Sequence, residues 1–520
     1  MKKMFMFLAL TLTLLLCSLA SAAPGPGQGR KILYVPLDNR PITCRETAAV
    51  AEKLGYDVLI PPDELLGARD RQGDTEGLWQ WLRDNAPGAR AAVVSTDALL
   101  YGSLVDSRNH ELTEGQLMER VSRFQKLRED FPRLPLYGFG TILRTLLTAI
   151  YQQNAVKIYD YSKLRDKLDM GAASRKEKRE LQRLEREIAP QVMEDWRHRH
   201  ELNFNANKAL MELARQGGFT FLFLGGDDGA FYSQTHYELR HLREYGKDIG
   251  KTRFQITSGA DELGMVMLYR AICRDQNDIP FVYTAYNIGK GPDTIPSYCV
   301  EEIGADVANT IIAAGGLQIP SPKRAELVMA ISTNTDGSTG AANLPDNTIK
   351  PRRGTLPFVG LVQGFLDKGY PVAVADIAYS NGADNALLHQ LHKKDLQFRL
   401  QAYGGWNTAT NTTGFLLGTG ILAKWMTKEA RNELLLTRYL EDWGYQANVR
   451  QSLGSALWSQ PGYDQKTGNL DGARDFAAKE GTAMLQEFAR QNLNLPPGLS
   501  LEKLRISHPW NRIFECEISF

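Results

Sequence analysis

Short runs of apolar, β-branched and aromatic residues recur along the chain. Each is followed by a polar or glycine-rich turn and then by a stretch with apolar positions three and four apart. The runs predict ten strands: KILYVPL, DVLIPP, AAVVST, LPLYGFG, TFLFLG, TRFQITS, PFVYTAY, ELVMAIST, PVAVADIA and FRLQAYG. Several are apolar on both faces, as strands covered by helices on both sides must be, and the alternation of strand with helix predicts parallel βα units. The expected fold class is therefore α/β with a barrel-like core over residues 30–335, or alternatively a pair of doubly wound domains. Between 150 and 215 the spacing turns helical and highly charged, which predicts a helical hairpin inserted into that core around Leu164, Leu168, Leu181 and Leu184. Residues 336–424 read as further α/β elements completing a cleft, and 425–520 as a mainly helical C-terminal region.

In parallel α/β sheets all strand C-termini open on one side, so the residues just past each run converge on one rim. They include Asp38 and Arg40, Asp97 followed by Tyr101, Asp227 and Asp228, Asp261 and Glu262, Asn287, Asn334 and Asp336, Asn381 and Asp384, and Trp406 with Asn407. A single Asp or Asn there has an ordinary use as the cap of the next helix. Caps do not require Arg40, Tyr101, Tyr286 and Trp406 in the same turns. The set predicts one cleft holding Asp38, Asp97, Asp227, Asp228, Asn381 and Trp406.

The stretch GGDDGA concentrates the chemistry. Repulsion between adjacent, partly buried carboxylates raises the proton affinity of one of them, and a protonated acid beside a charged one is a useful catalytic pair. Asp228 is the expected general acid/base and Asp227 the orienting or stabilising partner. Glu262 is a second candidate acid, ranked below Asp228 because a favourable first-turn helix position accounts for it well. Trp406 and Asn407, between glycines and hydroxyls, suit a sugar: ring faces pack on indoles, and hydroxyls take paired hydrogen bonds from amides and carboxylates. Asp38, Arg40, Asp97, Tyr101, Asn381 and Asp384 complete the expected substrate-binding set. The last segment, SHPWNRIFECEISF, adds Trp510, Arg512 and Glu515 but reads equally as a strand docking on the core.

Composition narrows the partners. Lys plus Arg (61) almost balances Asp plus Glu (60), so neither nucleic acid nor an anionic membrane surface is expected. Lys2 and Lys3, the apolar run MFMFLALTLTLLLC and the small residues of SLASAA predict an export leader over 1–23, hence a periplasmic or extracellular protein without stable membrane insertion. Cys44, Cys273, Cys299 and Cys516 would remain, either as disulfides or as buried thiols. No CxxC, HExxH, GxSxG, P-loop or dinucleotide-binding glycine motif is present. Neither a cofactor nor a dedicated metal site is expected.

The ordered motifs VPLDNRP, STDALLYGSL, GGDDGA, GADE, AYGGWNTATNT and PWNRIFE resemble those of a bacterial exported family catalogued as domain of unknown function 4127, over essentially the whole mature chain. That resemblance implies one family unit and brings no reaction. A more distant likeness, carried by GGDDG alone, is to hexosaminidases in which paired Asp residues follow a barrel strand. It implies that Asp227 would orient an acetamido group and Asp228 protonate the leaving oxygen. The function expected is an exported glycoside hydrolase acting on an envelope or environmental glycan, N-acetylamino sugars included. A divalent-metal hydrolase using Asp38, Asp97, Asp227 and Asp228, and a non-catalytic glycan-binding envelope protein, are the alternatives. The oligomeric state is open.

Overall fold

The computed structural model describes residues 25–145 and 153–520. The predicted leader, 1–23, lies outside the described residues, as do 146–152 within the predicted insertion. All ten predicted strands form. In chain order the strands are β1 (Lys31–Val35), β2 (Asp57–Leu59), β3 (Ala91–Ser95), β4 (Leu136–Ile142), β5 (Phe221–Gly226), β6 (Phe254–Ser258), β7 (Phe281–Tyr286), β8 (Leu317–Gln318), β9 (Leu327–Ser332), β10 (Gly340–Ala341), β11 (Val372–Asp376), β12 (Tyr379–Ser380), β13 (Ala402–Gly404), β14 (Arg505–Ser507) and β15 (Glu517–Ser519). The five additional strands have only two or three residues, too few to carry a period.

The strands form two open parallel sheets rather than a barrel. One runs β2-β1-β3-β4-β5-β6 and the other β13-β11-β9-β7-β8. The barrel-like core is thus corrected to the doubly wound alternative: both sheets keep free edges, and each turns back beside its first strand. The switch points lie between β1 and β3 and between β7 and β9, where ligands bind in such folds. Register sets the rim level, since Ile142 stands opposite Gly226, and Gly226 opposite Ser258, so the loops after β4, β5 and β6 leave side by side.

The helix Leu263–Asp275 after β6 joins the halves. It is apolar on every face from Leu263 to Tyr269, which requires burial all round, and it packs on β3, β4 and the helix Ala409–Leu422. A Cβ on Gly414 would lie 2.4 Å from Glu262, and one on Gly418 2.6 Å from Met265, so only glycine allows this close approach.

The insertion is three helices, Ala155–Asp169, Arg175–Glu187 and Pro190–Arg215, not a hairpin. Its outer part closes a small cluster of Ile158, Leu184 and Trp196, whereas Leu202, Ala206 and Leu210 at the end of the third helix belong to the core of the first sheet. That end is the ordinary crossover from β4 to β5. The C-terminal region is mainly helical and closes with the antiparallel pair β14–β15. Among the described residues, no helix is long and apolar enough to cross a membrane, and Cys44, Cys273, Cys299 and Cys516 are buried free thiols.

Candidate functional site

Loops from the C-terminal ends of both sheets meet around a pocket of about 400 Å³ lined by Arg40, Asp227, Asp228, Asp261, Asn381 and Asn407, with further arginines described below. Its size suits a small ligand. A larger cavity of about 760 Å³ includes Ala91 and Pro135, at the opposite, N-terminal ends of β3 and β4. Ligands in open α/β sheets bind at the carboxyl ends, which excludes that cavity. A pocket of about 410 Å³ at the carboxyl ends of the second sheet takes Asn287, Asn334, Asp336 and Asp384 away from the predicted single rim, and of the three only the first pocket is lined from both sheets.

The two acids of GGDDGA are separated by their backbone. A Cβ on Gly225 would lie 2.1 Å from the Gly259 carbonyl oxygen, so glycine allows β5 to end tightly against the loop after β6. The Asp227 N–H still donates to the Ile142 carbonyl at 2.9 Å, and Asp228 then turns into the left-handed region at φ 40°. The reversal sends the carboxylates to different partners. Asp227 is buried, and its Oδ2 accepts from Nε and Nη2 of Arg108 at 3.0 and 2.6 Å. Its Oδ1 has no hydrogen-bond partner among the described residues. The Asp228 side chain keeps 30% exposure and pairs with Arg144 at 2.7 Å. Burial, and then the neighbouring Asp227, push the Asp228 carboxyl above its ordinary range, while Arg144 pulls the other way.

A second group of charges ties the halves together behind the pocket. Asp38 accepts from Arg40 Nε at 3.0 Å on each oxygen and from the Thr43 hydroxyl at 2.6 Å. The same guanidinium reaches Asp261 through Nη1 at 3.2 Å and Nη2 at 2.5 Å. Asp261 in turn accepts from Asn407 Nδ2 at 3.1 Å, across the interface of the two sheets. A buried arginine between two carboxylates, with its hydrogen bonds made, is a rigid joint.

Strain gathers at this pocket. Asp228, Tyr298, Asn381 and Asn407 all line it and all have φ between 40° and 68°. Asparagine tolerates that region, but for Asp and Tyr it costs on the order of 1 kcal/mol or more, and such residues collect at ligand sites. The Asn381 N–H donates to the Asn407 carbonyl at 2.7 Å, so the two loops hold each other there. On the far side Trp510 donates from Nε1 to Asn39 at 2.6 Å. Arg40 and Arg512 lie over its ring at 5.1 and 4.9 Å from the centroid.

The predicted cleft is assembled in part. Asp227, Asp228, Asn381, Arg40 and Asn407 share the pocket, and Asp38 stands behind Arg40. Asp97 does not line it: buried, it accepts from the Thr141 N–H at 2.8 Å and the Thr141 hydroxyl at 2.7 Å, clamping the end of β4, and burial pushes its carboxyl up to about 7. Tyr101 stacks on His110, with centroids 4.8 Å apart, inside the first half. Trp406 and Glu262 border a separate internal space of about 10 Å³, room for about one water, and burial raises Glu262 well above a carboxylate's usual range. Asp384 belongs to the second sheet, where it caps the helix Asn385–Lys393 and pairs with Arg352. Nor do the four aspartates of the metal reading converge: among the described residues, no three His, Cys, Asp or Glu side chains gather as ligands.

The residues that sequence reasoning missed are cationic. Arg69, Arg108 and Arg144 line the pocket beside Arg40 and Arg512. Arg144 lies two residues beyond β4 and Arg69 in the connection after β2, so the rim rule applied to those two strands points to both. Arg108 sits on the short helix Leu104–Asn109, where no local signal marks it, whereas Trp510 and Arg512, named from the last segment, do reach the pocket. The paired Asp residues follow a strand of an open sheet, so the hexosaminidase likeness loses its barrel context.

The family model described as "Protein of unknown function (DUF4127)" matches residues 32–519. No curated protein and no solved structure matches the chain.

Proposed function

The chain belongs to the DUF4127 family, whose description names no reaction, and from the pocket itself we propose that the protein hydrolyses a glycosidic bond in a glycan outside the cytoplasm. The observation that carries the reading is the division of labour between two adjacent acids. Arg108 holds the Asp227 side chain through Oδ2, while burial and the neighbouring Asp227 push the carboxyl of Asp228, partly exposed in the same pocket, above its ordinary range. Asp228 would protonate the leaving oxygen. The carboxylate left behind is stabilised by Arg144 at 2.7 Å, and it can then take a proton from the attacking water. Asp227 Oδ1 is available to accept from a substrate N–H or O–H and to face the positive charge that develops on the sugar ring. The amides of Asn381 and Asn407 supply the kind of hydrogen bonds sugar hydroxyls use. The N-terminal pattern around Lys2, Lys3 and the following apolar run supports export.

The test is turnover on a glycan panel with purified protein, Asp228→Asn and Asp227→Asn. Loss of the proton donor should slow substrates with poor leaving groups by roughly a hundredfold or more and activated aryl glycosides much less. Loss of the orienting acid should depress both kinds together. Specific glycan binding without turnover would favour the non-catalytic reading. Activity abolished by chelation and restored by a divalent ion would favour the metal reading.

A further inference from the structure

Of the five arginines lining the pocket, four meet a carboxylate at close range. Arg40 is shared by Asp38 and Asp261, Arg108 holds Asp227, Arg144 holds Asp228, and Arg512 holds Glu515, with Nε 2.6 Å from Oε2. Arg69 is different. Its nearest carboxylate is Asp70, 3.9 Å away and 75% exposed, while the Arg69 side chain itself keeps only 22% exposure. Its Nη1 is buried and, among the described residues, has no hydrogen-bond partner. The position is built rather than accidental. Ala68 donates to the Arg71 carbonyl at 2.8 Å, closing a tight turn with Arg69 near its tip, and the Asn39 N–H holds Gly67 at 3.1 Å. A Cβ on Gly67 would lie 2.3 Å from Ser103, so this loop is pressed onto the body of the protein. A guanidinium held partly out of water with no carboxylate at close range is costly, and the part of the Arg69 side chain that stays exposed lines the pocket.

We infer that the pocket takes a glycan bearing an anionic group, and that Arg69, with Arg144 in the same lining, reads that oxyanion. The planar fork of arginine matches a carboxylate or a phosphoryl oxygen pair through two parallel N–H donors, and each aspartate lining the pocket pairs with an arginine other than Arg69, so the ligand's charge meets a cation without a close carboxylate of its own. The inference rests on this pocket being the substrate site of the proposed hydrolase and specifies its substrate class. The acid of the ligand would also lie beside the Asp228–Arg144 pair, drawing on Arg144 as it binds.

Calorimetric titration of the full protein with methyl β-D-glucuronide, methyl β-D-glucoside and glucose 6-phosphate tests it. The expected result is that at least one acidic probe binds about tenfold to a hundredfold tighter than the neutral glucoside, that the preference weakens with added salt, and that Arg69→Gln removes most of it at an unchanged melting temperature. Which acidic probe binds distinguishes carboxylate from phosphate recognition. Equal binding of acidic and neutral probes overturns the inference, as does a preference that survives Arg69→Gln, or no binding by any probe. If Arg69→Gln fails to fold, Arg69→Lys, which keeps the charge without the fork, should fold and retain part of the preference, and its retaining all of it counts against paired recognition. The two readings fail separately. An acidic glycan bound but never cleaved removes the hydrolase and keeps the anion site, whereas neutral glycans cleaved without acid preference do the reverse.

Discussion

Each sheet carries a pair of aspartates at its carboxyl edge, and the pairs are built alike. In the first half Asp227 is held by Arg108 and its neighbour Asp228 is pushed up. In the second, Asp384 is held by Arg352, at 3.0 Å from Nη1 and 2.5 Å from Nη2, and Asp376 is pushed up to about 8, first by burial and then by Asp384. Access separates them. The Asp228 side chain is 30% exposed in a pocket, whereas Asp376 is 1% exposed. Asp376 Oδ2 accepts from the Asp384 N–H at 2.7 Å and the Tyr403 hydroxyl at 3.0 Å, so it clamps the end of its own sheet. A displaced carboxyl beside an arginine-held carboxyl is therefore not a catalytic mark by itself. On the proposed reading it marks chemistry only where a ligand can reach it.

The largest expected difference follows directly. Asp228→Asn should lower turnover by roughly a hundredfold or more, as loss of a general acid does, with the melting temperature little changed. Asp376→Asn should leave turnover within about threefold, because a neutral amide stands in for an acid that is protonated in the folded protein. Steady-state kinetics on one cleaved glycan, read beside melting curves, decides. Equal losses in both variants with intact folds would erase the distinction between pocket and clamp.

The comparison also shows what the residue string makes legible. The strands announce themselves because their apolar runs are long enough to carry a period, and the convergence of Asp38, Asp227, Asp228, Asn381 and Asn407 follows from the one-sidedness of parallel sheets. Whether the βα units close into a barrel or part into two open sheets is set by pairing between strands far apart in sequence, and strand–helix alternation is the same in both. Clamps are invisible for the same reason. Asp97 is recognisable as one only once Thr141, 44 positions away, is known to stand beside it. Trp406 and Trp510 both follow turn residues, and only the path of the C-terminal segment shows that Trp510 borders the pocket. The helix Leu263–Asp275, by contrast, is legible as interior from its continuous apolar run, although nothing local says that it lies between two sheets.

The joint between the halves gives a smaller effect. Gly418→Val places new atoms where even a Cβ meets Met265 Cε at 2.6 Å. Overpacking of this kind typically costs about 1–3 kcal/mol, and here the strain falls on the contact that keeps Asn381 and Asn407 opposite Asp228. A lowered melting temperature together with weakened ligand binding is the expected pair of readouts. A lowered melting temperature with binding untouched would mean that the pocket does not depend on how closely these helices pack.

The last expected effect, one on stability alone, is on its pH dependence, and its sign follows from the clamps. Asp97 and Asp376 both have folded values raised above the ordinary carboxylate range, to about 7 and about 8. A carboxyl raised in this way holds a proton when folded and none when unfolded. Its contribution is complete below the unfolded value near 4 and is lost as pH rises through the folded value. Between those limits each such group lowers stability by up to about 1.4 kcal/mol per pH unit. His508 works in the opposite sense, because burial holds its ring down at about 4, so stability gained there with rising pH is complete by about 6.5. Comparing wild type with Asp376→Asn at each pH cancels His508 and every group the two proteins share. The melting temperature of wild type should therefore fall relative to Asp376→Asn as pH is raised from 5 to 7.5, with the difference levelling off above about 8. Parallel profiles would mean that Asp376 is charged in the folded protein, and the likeness between the two aspartate pairs would then end at their arginines.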